Sequence, residues 1–227
     1  WSGVEPLGER GEEIVRYRLH YSKRGRARYF SHNDLVNQLQ RAFRRAGIPI
    51  EYSQGFHPKM RMSFGPALAL GMEGENEVLE FLSRSILPPE KFLSRVNSRL
   101  PEGVQALSLE SIEAGAPSLS EEMAAMTFSI RLEDPRVSEA LTSFQEDPSY
   151  GGLTERAVME RRIAEYETEA GTETSTRLEL TQDRLRLIIP IGPGRNPRPQ
   201  DIVQRLLGVP HPAFLLTREG LTFNGSQ

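Results

Sequence analysis

The chain has 227 residues, 37% hydrophobic and 26% charged, with no cysteine and a net charge of -3. These proportions describe a chain that buries a core as one large domain or two small ones, and no apolar run approaches the ~20 residues of a membrane span. The missing cysteine excludes disulfides, thiolate zinc sites and cysteine-ligated iron–sulfur clusters within the chain; cytoplasmic residence fits. The chain opens on Trp1, and WSGVEPLGERGEE has neither a basic nor an apolar signal region. We therefore expect a processed protein or a piece of a longer one.

Residues 1–13 read as a flexible lead-in. IVRYRLHY (14–21) alternates strictly, with Val15, Tyr17, Leu19 and Tyr21 on one side and Arg16, Arg18 and His20 on the other. That pattern predicts a strand with one buried face and one wet, basic face. Lys23-Arg24-Gly25-Arg26 reads as a turn, and 27–30 as a short continuation of the strand. Ser31 with Asp34 three residues on forms a capping box. Leu35, Leu39, Ala42, Phe43 and Ala46 follow at helical spacing, and Gly47 and Pro49 stop the helix. Residues 50–52 look extended. Strands are expected at 60–64 and 76–83, a helix at 88–100 and a strand at 104–112, which completes a β-α-β-β-α-β order.

AGAPSLSEE, within 114–125, has the composition of a linker. The pattern then restarts: a strand at 127–132, a helix from Asp134-Pro135 to Phe144, a loop at 147–152 and a segment at 157–167 that is ambiguous between strand and helix and is read as an edge strand. A strand pair follows at 176–180 and 184–191, then a tight loop at 192–199, a helix at 200–207 and a last strand within 214–223. The expected fold class is α+β, two ferredoxin-like (βαββαβ) halves in tandem: 14–113 with a basic face, and 126–227 as a second, acidic half.

Charge is unevenly placed. Residues 14–66 hold eleven basic side chains against Asp34 and Glu51, a net +9 that leaves -12 for the rest. A local basic field in an acidic body points to one polyanion-binding face. Arg16, Arg18, Arg41, Arg44, Arg45, Lys59 and Arg61 are the expected phosphate contacts. Tyr52, Gln54, Phe56 and His57, in the loop YSQGFHPK, are expected to contact bases or orient the backbone. The plainer alternative is a solvated charged surface, but such a surface normally mixes signs and here acid is nearly absent.

Two other readings use the same stretch. His32 and His57, with Lys59 steadying charge, form the acid–base set of a metal-independent ribonuclease, although no spacing rule links the histidines. Alternatively, the basic face docks an acidic partner enzyme. The four histidines (His20, His32, His57 and His211) carry no metal-ligand spacing. Arg195 and Arg198, ahead of the helix at 200–207, offer an anion site, with a sharp loop as the simpler reading. The Glu-rich run 155–173 reads as a solvated acidic face.

RARYFSHNDL, QRAFRRAGIPIEYSQGFHPKMRMSFGPALALG and RPQDIVQRLLG together resemble the radical-SAM-associated domain of unknown function found in bacteria. The resemblance covers about 15–223 and is tightest in the first half, where Ser-His-x-Asp-Leu, Arg-Arg-Ala-Gly and Ser-x-Gly-Phe occur in order. In that family the domain stands alone or follows a radical SAM enzyme with a B12-binding-like N-terminal region. The resemblance implies an accessory module beside a radical SAM enzyme in cis or in trans. It implies no cofactor in this chain, the iron–sulfur cluster and S-adenosylmethionine lying in the partner domain. It supplies no catalytic residues. The resulting expectation is an RNA-binding module that presents tRNA or rRNA to a modifying enzyme, away from membranes.

Overall fold

In the computed structural model the described residues are 10–170, 176–192, 197–210 and 212–224. Expectations placed on 1–9, 171–173, Arg195 and His211 lie outside them. The chain divides into two compact units, Trp1–Met123 and Ala124–Gln227. The class is α+β.

In the first unit β1 (Arg10–Lys23) lies between β3 (Glu73–Ser85) and β4 (Val104–Ile112), and β2 (Met62–Phe64) also pairs with β3. Every one of these pairings is antiparallel. This is the neighbour order 4-1-3-2 of a split βαβ unit. Strand β1 begins at Arg10, not Ile14, so 10–13 belong to the sheet and not to a lead-in.

The alternation read from 14–21 decides which face is buried. Tyr17 is opposite Phe81 and Leu19 opposite Leu79, and all four are buried. The helical layer covers that face. α1 (His32–Arg45) starts at the Ser31–Asp34 capping box, with both reciprocal bonds present, and buries Leu35, Leu39, Ala42 and Phe43. α2 (Pro89–Asn97) starts with Pro at its first turn, where a missing N–H is harmless, and buries Phe92 and Val96. Phe43, Phe81 and Phe92 meet with ring centroids 5.4 to 5.7 Å apart. Burial of each such ring is worth roughly 1.5–3 kcal/mol.

Residues 27–30 do not continue the strand. Gly25–Tyr29 forms a 3-10 turn, closed by Ala27 N–H donating to the Arg24 carbonyl at 3.1 Å and Phe30 N–H to the Ala27 carbonyl at 2.9 Å. The turn nests against Gly103. A Cβ at Gly103 would come within 2.3 Å of the Arg24 carbonyl oxygen, so only glycine permits this approach.

The segment expected as a linker is also structured. It contains α3 (Leu119–Glu122), capped by Ser118 and Glu121, and Leu119 is buried.

In the second unit β5 (Met123–Arg131), β6 (Arg177–Leu180), β7 (Arg184–Pro190) and β8 (Thr217–Phe223) follow the order β8-β5-β7-β6. Counted within the unit, this is again 4-1-3-2. The helices are α4 (Pro135–Gln145), α5 (Glu155–Ala170) and α6 (Pro199–Leu207).

α5 overturns the expected edge strand at 157–167. Its Glu, Arg, Ala and Met residues are good helix formers, and ion pairs at helical spacing join Arg156–Glu160, Arg161–Glu165 and Arg162–Glu165. Val158, Met159 and Tyr166 are buried. The run is not simply a solvated face either, because Arg162 donates to the Leu206 carbonyl at the end of α6 at 3.1 Å. The apolar stripe is thin and charges dominate the segment, so its periodicity is weak in the sequence.

Candidate functional site

The uncovered face of the first unit's sheet carries Arg16, Arg18 and His20. It is not the wet, basic face that alternation predicts. Arg18 is 7% exposed. Its Nε and Nη2 donate to Glu80 Oε1 at 3.1 and 2.7 Å, and Nη2 also bonds Glu122 on α3. Burial alone would lower the arginine's pKa; hydrogen bonds to Glu122 and Glu80 more than offset this and raise it. The guanidinium is therefore a fixed cation. Arg16 Nη2 donates to the carbonyls of Ala116 and Pro117 at 2.9 and 3.0 Å, and its Nε stands 3.9 Å from Glu80. The two arginines thus tie 116–122 across the sheet as a strap.

Other cations in the basic stretch are opposed as well. Arg24 pairs with Glu75, and Arg28 with Glu73. These acids come from β3 and beyond, so a count over 14–66 misses them. Arg26, Arg41, Arg44, Arg45, Lys59 and Arg61 form no ion pair among the described residues, although Arg61 feels the charge of Glu51.

Residues 50–61 form a tapered hairpin beside β2. Glu51 N–H donates to the Leu82 carbonyl at 2.7 Å, Arg61 N–H to the Glu51 carbonyl at 2.8 Å and Ser53 N–H to the Lys59 carbonyl at 2.8 Å. Tyr52 and Met60 form an isolated antiparallel bridge. Lys59 N–H also donates to Ser53 Oγ at 3.0 Å. The Glu51 side chain bonds Arg84, which holds its carboxyl below the usual range. At the tip, Gly55 has φ 129° and nothing within 4 Å of its notional Cβ. Phe56 is fully exposed at 102%, and Tyr52 is 38% exposed. Gln54 and His57 are exposed beside them. A wholly solvated phenylalanine contributes nothing to the core and leaves its ring open to solvent at the hairpin tip.

Between this hairpin, β2 and the strap lies an open cleft of about 690 Å³. Arg16, Lys59 and Arg61 line it with Ser53, Ser63, Phe64 and, from the strap, Ser118, Leu119 and Ser120. The expected site residues are therefore divided. Arg16, Lys59 and Arg61 share the cleft. Tyr52, Gln54, Phe56 and His57 stand on the hairpin that forms its rim. Arg41, Arg44 and Arg45 are exposed on α1, which covers the opposite face of the sheet. Arg18 is consumed by its carboxylates.

His32 sits at the start of α1, its ring edge-on to Phe64 at 5.6 Å. No ring contact or hydrogen bond joins His32 to His57 among the described residues. Among those residues no group of three or more His, Asp or Glu side chains is placed to hold a metal ion, and no helix is long and apolar enough to cross a membrane.

Sequence reasoning missed Ser63, Phe64, Ser118, Leu119 and Ser120 as cleft residues. The signal for the strap was present: a lone apolar Leu119 inside a Ser-x-x-Glu capping box is what a docked turn requires, whereas a free linker has no use for it.

Fold and site together define an α+β protein of split βαβ topology with a basic cleft on the side of the sheet opposite its helices. The chain belongs to a family described as an uncharacterized protein conserved in bacteria, DUF2344, whose model matches residues 16–170. The search of curated proteins found no match.

Proposed function

We propose that the chain is an RNA-binding accessory module that presents tRNA or rRNA to a radical SAM modifying enzyme in the bacterial cytoplasm. The enzyme domain acts in cis or in trans and carries the iron–sulfur cluster and S-adenosylmethionine; this chain contributes recognition. The observation that supports the RNA reading is the hairpin and cleft taken together. Lys59 and Arg61, cations with no ion pair among the described residues, stand beside solvent-exposed Tyr52 and Phe56. Backbone phosphates call for the former and unstacked bases for the latter. The radical SAM link is drawn from the sequence resemblance, and the absence of cysteine is compatible with it.

The test is binding of structured RNA across a salt series. Release of counterions makes affinity fall steeply with salt, and each phosphate contact removed lowers the slope by about one. Lys59→Ala with Arg61→Ala therefore reduces both affinity and slope. Affinity that is flat in salt, or no binding to any structured RNA, rejects the reading. Co-purification with a radical SAM enzyme that survives nuclease treatment tests the partner separately.

A further inference from the structure

We infer that the cleft holds one unstacked nucleotide of single-stranded RNA, its phosphate on Lys59 and Arg61 and its base against the half-buried Leu82 on the open face of the sheet. The inference rests on the RNA reading above and narrows it.

Shape argues first. The space of about 690 Å³ falls in the range of clefts that enclose a single small ligand, roughly 300–1,000 Å³. A duplex presents a broad convex surface and does not enter such a space, whereas a splayed nucleotide does. The exposed arginines of α1 suit a duplex better, but they lie on the helical side of the sheet, away from the cleft.

The lining divides by chemistry in the way a nucleotide does. Lys59 and Arg61 provide cations on one wall. Ser63 and Ser120 provide hydroxyls that both donate and accept, which suits ribose 2′-OH and phosphate oxygens without selecting a base, while the Ser118 hydroxyl is engaged by Glu121 and Ser120. Leu82, opposite Arg16 in the register and half-buried, provides an apolar floor. One carboxylate, Glu80, also borders the cleft. Arg18 holds it in two hydrogen bonds, so its charge is compensated before any phosphate arrives.

The wall is also preorganised. Arg16 fixes the carbonyls of Ala116 and Pro117, Arg18 fixes Glu122, and Leu119 is buried. A ligand therefore does not have to order the strap, which lowers the cost of binding. In this arrangement Arg16 and Arg18 are positioning residues, and Lys59 and Arg61 touch the ligand. Phe56 and Tyr52 on the rim supply stacking area for the adjoining base.

The experiment titrates the whole chain with end-labelled oligouridine and with a blunt hairpin of equal nucleotide count, read by fluorescence anisotropy at low salt. The single strand is expected to bind at least about tenfold tighter. Lys59→Ala with Arg61→Ala weakens it by about tenfold or more, while Arg41→Ala with Arg44→Ala changes it by less than about threefold. A thiouridine-substituted strand crosslinks to the peptide containing Leu82. If the hairpin binds and the single strand binds no better, or the crosslinks map to α1, the nucleotide site is wrong and the RNA reading stands. If neither RNA binds, both fall. The substituted side chains are exposed, and a circular dichroism melt of each variant separates lost binding from lost fold.

Discussion

Arg18 and Arg61 lie on the same side of the same sheet, and the fold uses them in opposite ways. Arg18 is buried and held by Glu80 and Glu122. Arg61 is exposed at the cleft, with Glu51 as a distant field and no ion pair among the described residues. The difference comes from strand position. Arg18 is on central β1, directly opposite Glu80 in the β3 register, and the strap closes over it. Arg61 precedes β2 beside the hairpin, where no carboxylate among the described residues is brought within pairing distance. A buried cation must be matched by acid because desolvation is costly, whereas a cation at an edge keeps its water and remains available to a ligand.

Stability separates the two arginines most. Arg18→Met takes from Glu122 its cation and leaves Glu80 only Arg16, at 3.9 Å, and costs about 3–5 kcal/mol, measured by urea denaturation. Arg61→Met at the rim changes stability by no more than about 0.5 kcal/mol. Equal effects would show that Arg18 is not the structural member of the pair.

The aromatic residues give the same contrast. Phe81 touches Tyr17, Phe43 and Phe92 with centroids at 5.7, 5.4 and 5.7 Å. Phe81→Ala is expected to cost about 3–5 kcal/mol. Phe56, wholly exposed, costs within about 0.5 kcal/mol on the same change while weakening RNA by several-fold. A large loss of stability from Phe56→Ala would place that ring in a core.

The smallest effect is acidic. Glu51 has its carboxyl lowered chiefly by hydrogen bonding to Arg84. The stability it contributes is complete above the ordinary glutamate value of about 4.3 and is lost as pH falls through the depressed value. Arg84→Met should therefore lower thermal stability at neutral pH, with the gap to the unmodified chain closing in acid. A gap that widens in acid would contradict the sign.

Local order was legible where near neighbours decide it. The Ser31–Asp34 box and the stripe from Leu35 to Phe43 specify α1, and the strand expected at 104–112 is β4 as found. The candidate site was half legible. The hairpin residues were named, but the strap that forms the far wall was read as a linker, and α5 was read as a strand because its apolar stripe is thin.

Capping, periodicity and composition act within a few residues, so the class, the βαββαβ order of the first unit and the basic stretch are legible along the chain. Which of those cations remain available is a matter of long-range contacts. Arg18 meets carboxylates 62 and 104 residues away, and Arg16 meets carbonyls 100 and 101 residues away. Coulomb attraction depends on distance in space, not along the chain. A window of like charge therefore says where cations begin, while the register of β1 against β3 and the path of the strap determine which of them are left for a ligand.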